Sequence, residues 1–305
     1  MDKNIEKLLN LNIFELLKIA FNINKKYSNE IHVCSIINAK SGICTENCSY
    51  CAQSPFNKAE IKKYELLSFE EIYQSAIKIY EKGIRRFGIV TSGYGYKQVN
   101  KEFEKIINTI IKLKEKLPDL EVCASLGVLS NETAKLLYEA GISEYNHNLQ
   151  VIPEKYETLI ATTHKVSDRI NTIKELKKYP IKICSGTIIG LGESMMDRIK
   201  LAYLLKELNV DIIPINILIP IKGTKFENSA SLSAIEVIKT FAIYRIILNE
   251  KIIKFAAGRE TIMKDFQGLI MLSSANGFLT GGYLTTRGRS IEEDFKLINQ
   301  LKNFL

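Results

Sequence analysis

Short apolar, β-rich runs alternate with amphipathic helical runs along most of this chain. The apolar runs fall at 31–37, 86–91, 121–126, 143–146, 181–189, 211–217 and 252–257, with a weak last one at 278–280. Helical spacing marks 68–82, 99–117, 131–140, 166–178, 194–208 and 233–248. In the first of these Phe69, Ile72, Ala76, Ile77 and Tyr80 share a face, while Pro118 and Gly141 stop later ones. Alternating βα units predict a parallel sheet with right-handed crossovers. Eight of them predict an α/β fold, a (β/α)8 barrel of TIM type, with functional side chains in the loops at the C-terminal ends of the strands.

The expected organisation is one domain over 1–305. N-terminal helices occupy 1–30, the barrel 31–285, and a tail from Thr286 leads into a helix within 286–305. Of the 305 residues 46% are hydrophobic, enough for a full core. The net charge of +8 comes mostly from lysines scattered over amphipathic segments such as 101–116. That pattern predicts solvated helix faces and no nucleic-acid arm. No stretch reaches transmembrane length, and the charged, amphipathic start lacks the apolar core of a secretory signal. Six cysteines with no signal predict a cytoplasmic chain whose clustered cysteines bind metal.

Cys44, Cys48 and Cys51 form a C-x3-C-x2-C triplet in the loop after the first strand. Structural zinc would want a fourth Cys or His close by. The nearest downstream are Cys123, His147 and His164, all remote in sequence. A [4Fe-4S] cluster normally takes four cysteines, so three leave one iron open to another ligand.

A C-x3-C-x2-C loop after the first strand of such a barrel resembles the radical S-adenosylmethionine enzymes. The resemblance implies that Cys44, Cys48 and Cys51 hold a [4Fe-4S] cluster whose open iron binds S-adenosylmethionine. Reductive cleavage would then release a 5′-deoxyadenosyl radical. The runs Tyr145-Asn146-His147-Asn148-Leu149, Cys184-Ser185-Gly186, Ile189-Gly190-Leu191-Gly192-Glu193, Pro214-Ile215-Asn216, Lys222-Gly223-Thr224 and Ala257-Gly258-Arg259-Glu260 narrow it. In this order they resemble the biotin synthase family from about Ser35 to Thr286. That family inserts sulfur between two unactivated carbons of dethiobiotin. Such C–H bonds offer no acidic proton to a base, so no acid/base catalyst is expected and the cofactor carries the hard step.

The resemblance further implies an auxiliary iron–sulfur cluster deep in the barrel, the sulfur source, held by Cys123, Cys184 and Arg259. The family's usual second-strand cysteine is missing, since this chain reads Arg86-Phe87-Gly88. Cys34 on the first strand is a replacement. Barrel interiors fill in layers from alternate strands. Cys34, Cys123 and Cys184 fall on strands one, three and five, and Arg259 follows strand seven. The moved cysteine matches an anaerobe-associated subset, for which a cluster larger than [2Fe-2S] is expected.

By the same resemblance Tyr50, Ser92, Gly93, Asn148, Gln150 and Arg169 contact S-adenosylmethionine. Gln150 stands where the family usually has Asp. Asn146 and Asn216 are expected to meet the ureido ring of dethiobiotin, whose donors and acceptor an amide complements. His147, between two pocket residues, points the other way by alternation. A flavodoxin or ferredoxin-type electron donor and a homodimer belong to the same implication. Two other functions fit parts of the sequence: a radical enzyme of similar barrel acting on another small molecule, and a non-catalytic iron–sulfur carrier. Residues 145–149 and Arg259 weigh against the first; the missing fourth cysteine and the glycine loop at 91–95 weigh against the second.

Overall fold

The structure, a computed structural model, describes residues 3–27, 30–285 and 288–301. The expected tail boundary at Thr286 and the last four residues lie outside them. Eight parallel strands close into one ring: β1 (His32–Lys40), β2 (Arg86–Thr91), β3 (Glu121–Ser125), β4 (Glu144–Asn146), β5 (Lys182–Cys184, resuming at Thr187–Ile189), β6 (Ile212–Ile217), β7 (Ile252–Phe255) and β8 (Gly277–Leu279). Closure comes from β8 pairing back onto β1, with Cys34 opposite Leu279. The barrel expected from the alternation is the barrel found.

Helices α1 (Lys3–Asn10) and α2 (Ile13–Tyr27) precede the ring. Around it run α3 (Phe69–Glu81), α4 (Lys101–Lys116), α5 (Asn131–Glu139), α6 (Val166–Leu176), α7 (Met195–Glu207), α8 (Ala234–Leu248), α9 (Gln267–Ser273) and α10 (Ile291–Leu301). Their starts are set locally. Ser68, Ser130 and Ser194 cap α3, α5 and α7 with reciprocal capping boxes, which satisfy amide groups the first turn leaves free. Helix α8 is apolar on nearly all sides. Such a helix must be covered all round; α2, α7 and α9 pack against it as well as the barrel.

Strand β5 breaks at Ser185 and Gly186, within the single run expected at 181–189. Ser185 Oγ donates to the His147 carbonyl (2.8 Å), and the Gly186 amide donates to Asn148 Oδ1 (3.0 Å). The strand thus hands its hydrogen bonds to the Asn148 loop. An added Cβ at Gly186 would lie 1.9 Å from the Pro214 carbonyl oxygen. Backbone cannot yield there as a side chain can, so Gly186→Ala is expected to cost more than about 3 kcal/mol by overpacking. A denaturant midpoint unchanged from the parent would refute this.

Candidate active site

The cysteine loop leaves β1 at a register shift between Asn38 and Lys40 and is tied down on two sides. Asn57 Nδ2 lies 2.8–3.3 Å from the carbonyls of Cys48, Ser49 and Cys51. Across the mouth, Asn47 Nδ2 donates to Thr162 Oγ1 (2.7 Å), and the Ser49 amide donates to the Ile160 carbonyl (2.8 Å). A segment without helix or strand is thereby held in one shape. Burial, then repulsion from Cys51, pushes the Cys48 thiol up to about 12. Burial also raises Cys51. Such thiols ionise only beside a compensating cation, which an iron centre supplies. Among the described residues no three His, Cys, Asp or Glu side chains converge as closely as a single metal ion requires. Three half-buried thiols on one tied-down loop, at C-x3-C-x2-C spacing, fit a cluster that leaves one iron open.

One cavity of about 350 Å³ runs from this loop into the barrel. Tyr50 and Cys51 line its outer end; Cys34, Cys123 and Cys184 line its inner end. These three thiols are buried, and burial raises the pKa of each. They come from β1, β3 and β5, the odd-strand layer expected. Gly88 sits beside Cys123 in register, and a Cβ there would meet Ile36 Cγ2 at 3.0 Å. Gly88 thus lines the cavity with no side chain at the strand that carries the family's usual thiol, and Ile36 crowds the place a Cβ would take.

The fourth member of the layer differs from the expectation. Lys254 on β7 lines the cavity with the thiols, and Arg259 does not. Gly258 turns the chain through φ +87° and aims Arg259 away from the cavity. There Arg259 Nη2 donates to Asp294 Oδ2 (2.5 Å) and to the Leu279 carbonyl (3.2 Å), over the Phe278 ring. The arginine pins α10 to the barrel. Lys254 Nζ lies 3.4 Å from Glu144 Oε1, with His32 Nε2 3.6 Å from the same carboxylate group. Burial alone would lower the Lys254 pKa, but Cys34, Glu144, Cys184 and Cys123 together raise it well above its ordinary value. Buried charge demands a partner. Three thiols around one held ammonium group fit an anionic metal–sulfur group.

Between the two ends lie the amide side chains. Asn146 Nδ2 donates to Cys184 Sγ (3.1 Å) and to Asn148 Oδ1 (3.3 Å). Asn216 Nδ2 donates to the Thr187 carbonyl (3.1 Å), and its Oδ1 accepts from the Ala257 amide (3.2 Å). Gln150 adopts φ +72°, a conformation uncommon outside glycine. Its Nε2 donates to Tyr50 Oη (2.8 Å), while its buried Oε1 has no hydrogen-bond partner. All four residues line the cavity. Ser92 and Gly93 do not; Ser92 Oγ donates to the Ile43 carbonyl (3.0 Å) and supports the cysteine loop from behind. Arg169 stands beside the cavity, with Nη1 donating to the Asn148 carbonyl (2.8 Å). His147 is buried outside it, and burial, then the Arg169 and His164 charges, lowers its pKa well below the ordinary value.

The residues the sequence did not single out are Lys254, Glu144, Glu46, Tyr156 and His164. Lys254 was detectable: a lone charge inside the apolar run 252–257 must face a special interior.

A closed parallel barrel with three cysteines on its first loop and three more inside defines a radical S-adenosylmethionine enzyme. A model of the Radical SAM superfamily matches residues 39–217, and one of the Biotin and Thiamin Synthesis associated domain matches 214–302. The two models meet on β6 and contribute strands to one ring. Biotin synthase of Chlorobium phaeobacteroides (strain BS1) is 51% identical over 294 residues, 95% of this chain and 87% of the relative. Biotin synthase of Chlorobaculum tepidum is also 51% identical, over 96% of this chain and 89% of the relative. The chain belongs to the biotin synthase family. Membership implies a [4Fe-4S] cluster and S-adenosylmethionine. The fold is shared with the crystal structure of methylornithine synthase, at TM-score 0.83 and 18% identity, over 100% of this chain and 92% of that one.

Proposed function

We propose that this chain makes biotin from dethiobiotin, holding the substrate between a [4Fe-4S] cluster on Cys44, Cys48 and Cys51 and an auxiliary iron–sulfur cluster on Cys34, Cys123 and Cys184. The observation that carries this is the single cavity with Cys51 at one end and the three inner thiols at the other. A [4Fe-4S] group held by Cys44, Cys48 and Cys51 would supply one-electron cleavage of S-adenosylmethionine to methionine and a deoxyadenosyl radical, and an iron–sulfur group held by the inner thiols would supply sulfur. The protein's part is to bind, orient and keep water out. Ile188, Ile217 and Leu218 give the cavity apolar walls. Asn146 and Asn216 turn amides toward the ureido ring, each anchored through its other hydrogen bonds. Tyr50, Asn148, Gln150 and Arg169 serve S-adenosylmethionine, with Arg169 meeting its α-carboxylate and the unpartnered Gln150 Oε1 accepting from a ribose hydroxyl. Ser92 and Gly93 act through the loop they support.

Lys254 takes the place first expected of Arg259. It is the buried cation that offsets the charge of the thiolates, held by Glu144. The reading includes an auxiliary cluster larger than [2Fe-2S], a flavodoxin or ferredoxin-type electron donor, a homodimer and a cytoplasmic location. No helix among the described residues is long and apolar enough to cross a membrane.

Anaerobic incubation with S-adenosylmethionine, a reductant and dethiobiotin is expected to give 5′-deoxyadenosine and biotin. Deoxyadenosine without biotin would mean another substrate. Neither product would mean an iron–sulfur carrier.

A further inference from the structure

Glu46, between Cys44 and Cys48, is joined to Arg169 by an unbroken line of side chains. Arg169 Nε donates to Tyr156 Oη at 2.5 Å. Tyr156 Oη lies 2.9 Å from His164 Nε2, and His164 Nδ1 lies 2.7 Å from Glu46 Oε2. Tyr156, His164 and Glu46 are buried.

The proton positions follow from the arginine. A guanidinium only donates. Tyr156 therefore accepts from Arg169, and its own proton points on to His164. Arg169 Nη2, 3.3 Å from the same ring nitrogen, also requires Nε2 to accept. Nδ1 then carries the imidazole proton and gives it to Glu46. Each bond runs the same way, from a cation to an anion, so each polarises the next. Thr45 Oγ1 (2.6 Å) and Thr163 Oγ1 (2.7 Å) fix the Glu46 carboxylate at the far end. Arg169 keeps one N–H on each terminal nitrogen for a ligand, since its other three are used.

We propose that Glu46, His164 and Tyr156 are positioning residues. They hold Arg169 at a fixed angle to the cysteine loop and so set how tightly the α-carboxylate of S-adenosylmethionine binds. The proposal rests on the reading that Arg169 meets that carboxylate. It adds that the loop bearing the cluster and the arginine bearing the carboxylate are one rigid unit, built from residues that touch neither ligand.

The test uses the anaerobically reconstituted full chain as Glu46→Gln, Tyr156→Phe, Arg169→Lys and the double variant Glu46→Gln/Arg169→Lys. Iron per chain and the Kd for S-adenosylmethionine are measured, together with the change S-adenosylmethionine causes in the electron paramagnetic resonance of the reduced cluster. Each single variant is expected to keep its loop iron and bind S-adenosylmethionine about tenfold more weakly, the scale of one charge-assisted hydrogen bond. The double variant is expected to bind no more weakly than Arg169→Lys alone, because the relay acts only through that arginine. If Glu46→Gln does not load iron, Tyr156→Phe, which removes one oxygen, carries the same comparison in its own double variant with Arg169→Lys. Parent affinity in iron-loaded Glu46→Gln and Tyr156→Phe would overturn the proposal, as would losses that multiply in the double variant. Parent affinity in Arg169→Lys would instead remove the carboxylate assignment beneath it, and the proposal with it.

Discussion

Cys34→Ala is expected to leave the chain with its outer cluster and without its inner one. Auxiliary iron and sulfide should be lost, and biotin formation should fall by at least about a hundredfold, since even residues behind a metal ligand cost that much. Reductive cleavage of S-adenosylmethionine to 5′-deoxyadenosine should continue, because Cys44, Cys48 and Cys51 lie on a separate loop, which reaches the cavity through Cys51. The physical basis is the layer itself. Cys34, Cys123 and Cys184 converge from alternate strands of the ring, and Gly88 leaves the second strand with no thiol to substitute. Iron and acid-labile sulfide analysis beside product assays reads both halves. Full retention of both clusters would show Cys34 to be an ordinary core cysteine.

The second large effect separates two cations that sequence motifs alone confuse. Lys254→Met is expected to abolish loading of the inner cluster, since three buried thiolates then face Glu144 with no ammonium group between them. Lys254→Met/Glu144→Gln, which removes both charges, should recover folding stability but not the cluster. Arg259→Gln should do the reverse. It leaves Asp294 buried without its closest partner, which costs roughly 3–5 kcal/mol of stability. Its folded fraction should still carry inner-cluster iron. Thermal unfolding and iron content, measured on all three, distinguish these outcomes. Arg259→Gln protein that folds normally and lacks auxiliary iron would reverse the assignment.

Much of this architecture was legible in the sequence because it depends on period and order. Alternating apolar and amphipathic runs fix eight strands and a closed barrel, and a barrel fixes which strands share a layer. The inner thiols were found that way, Cys34 among them. Arg259 was expected in the same layer because a motif gives a neighbourhood and not a direction; the structure pairs it with Asp294 and sets Lys254 in the cavity instead. Arg259 lies five positions after Lys254, and the left-handed turn at Gly258 sends the two side chains to different places. Strand parity, applied to the lysine inside an apolar run, would have favoured Lys254. The break in β5 and the Glu46–His164–Tyr156–Arg169 line were hidden for another reason. Both depend on hydrogen bonds between residues far apart in sequence, and no local pattern encodes one between residues 46 and 164 or between 148 and 186.

The central claim is that the inner site is built by Cys34, Cys123 and Cys184 around Lys254. Iron anomalous scattering from crystals grown anaerobically tests it most directly. The account predicts a second iron site bonded to the sulfurs of all three cysteines, with the Lys254 ammonium beside it and Arg259 still paired with Asp294. Iron bonded to Arg259, or an inner site that leaves Cys34 unligated, would contradict it.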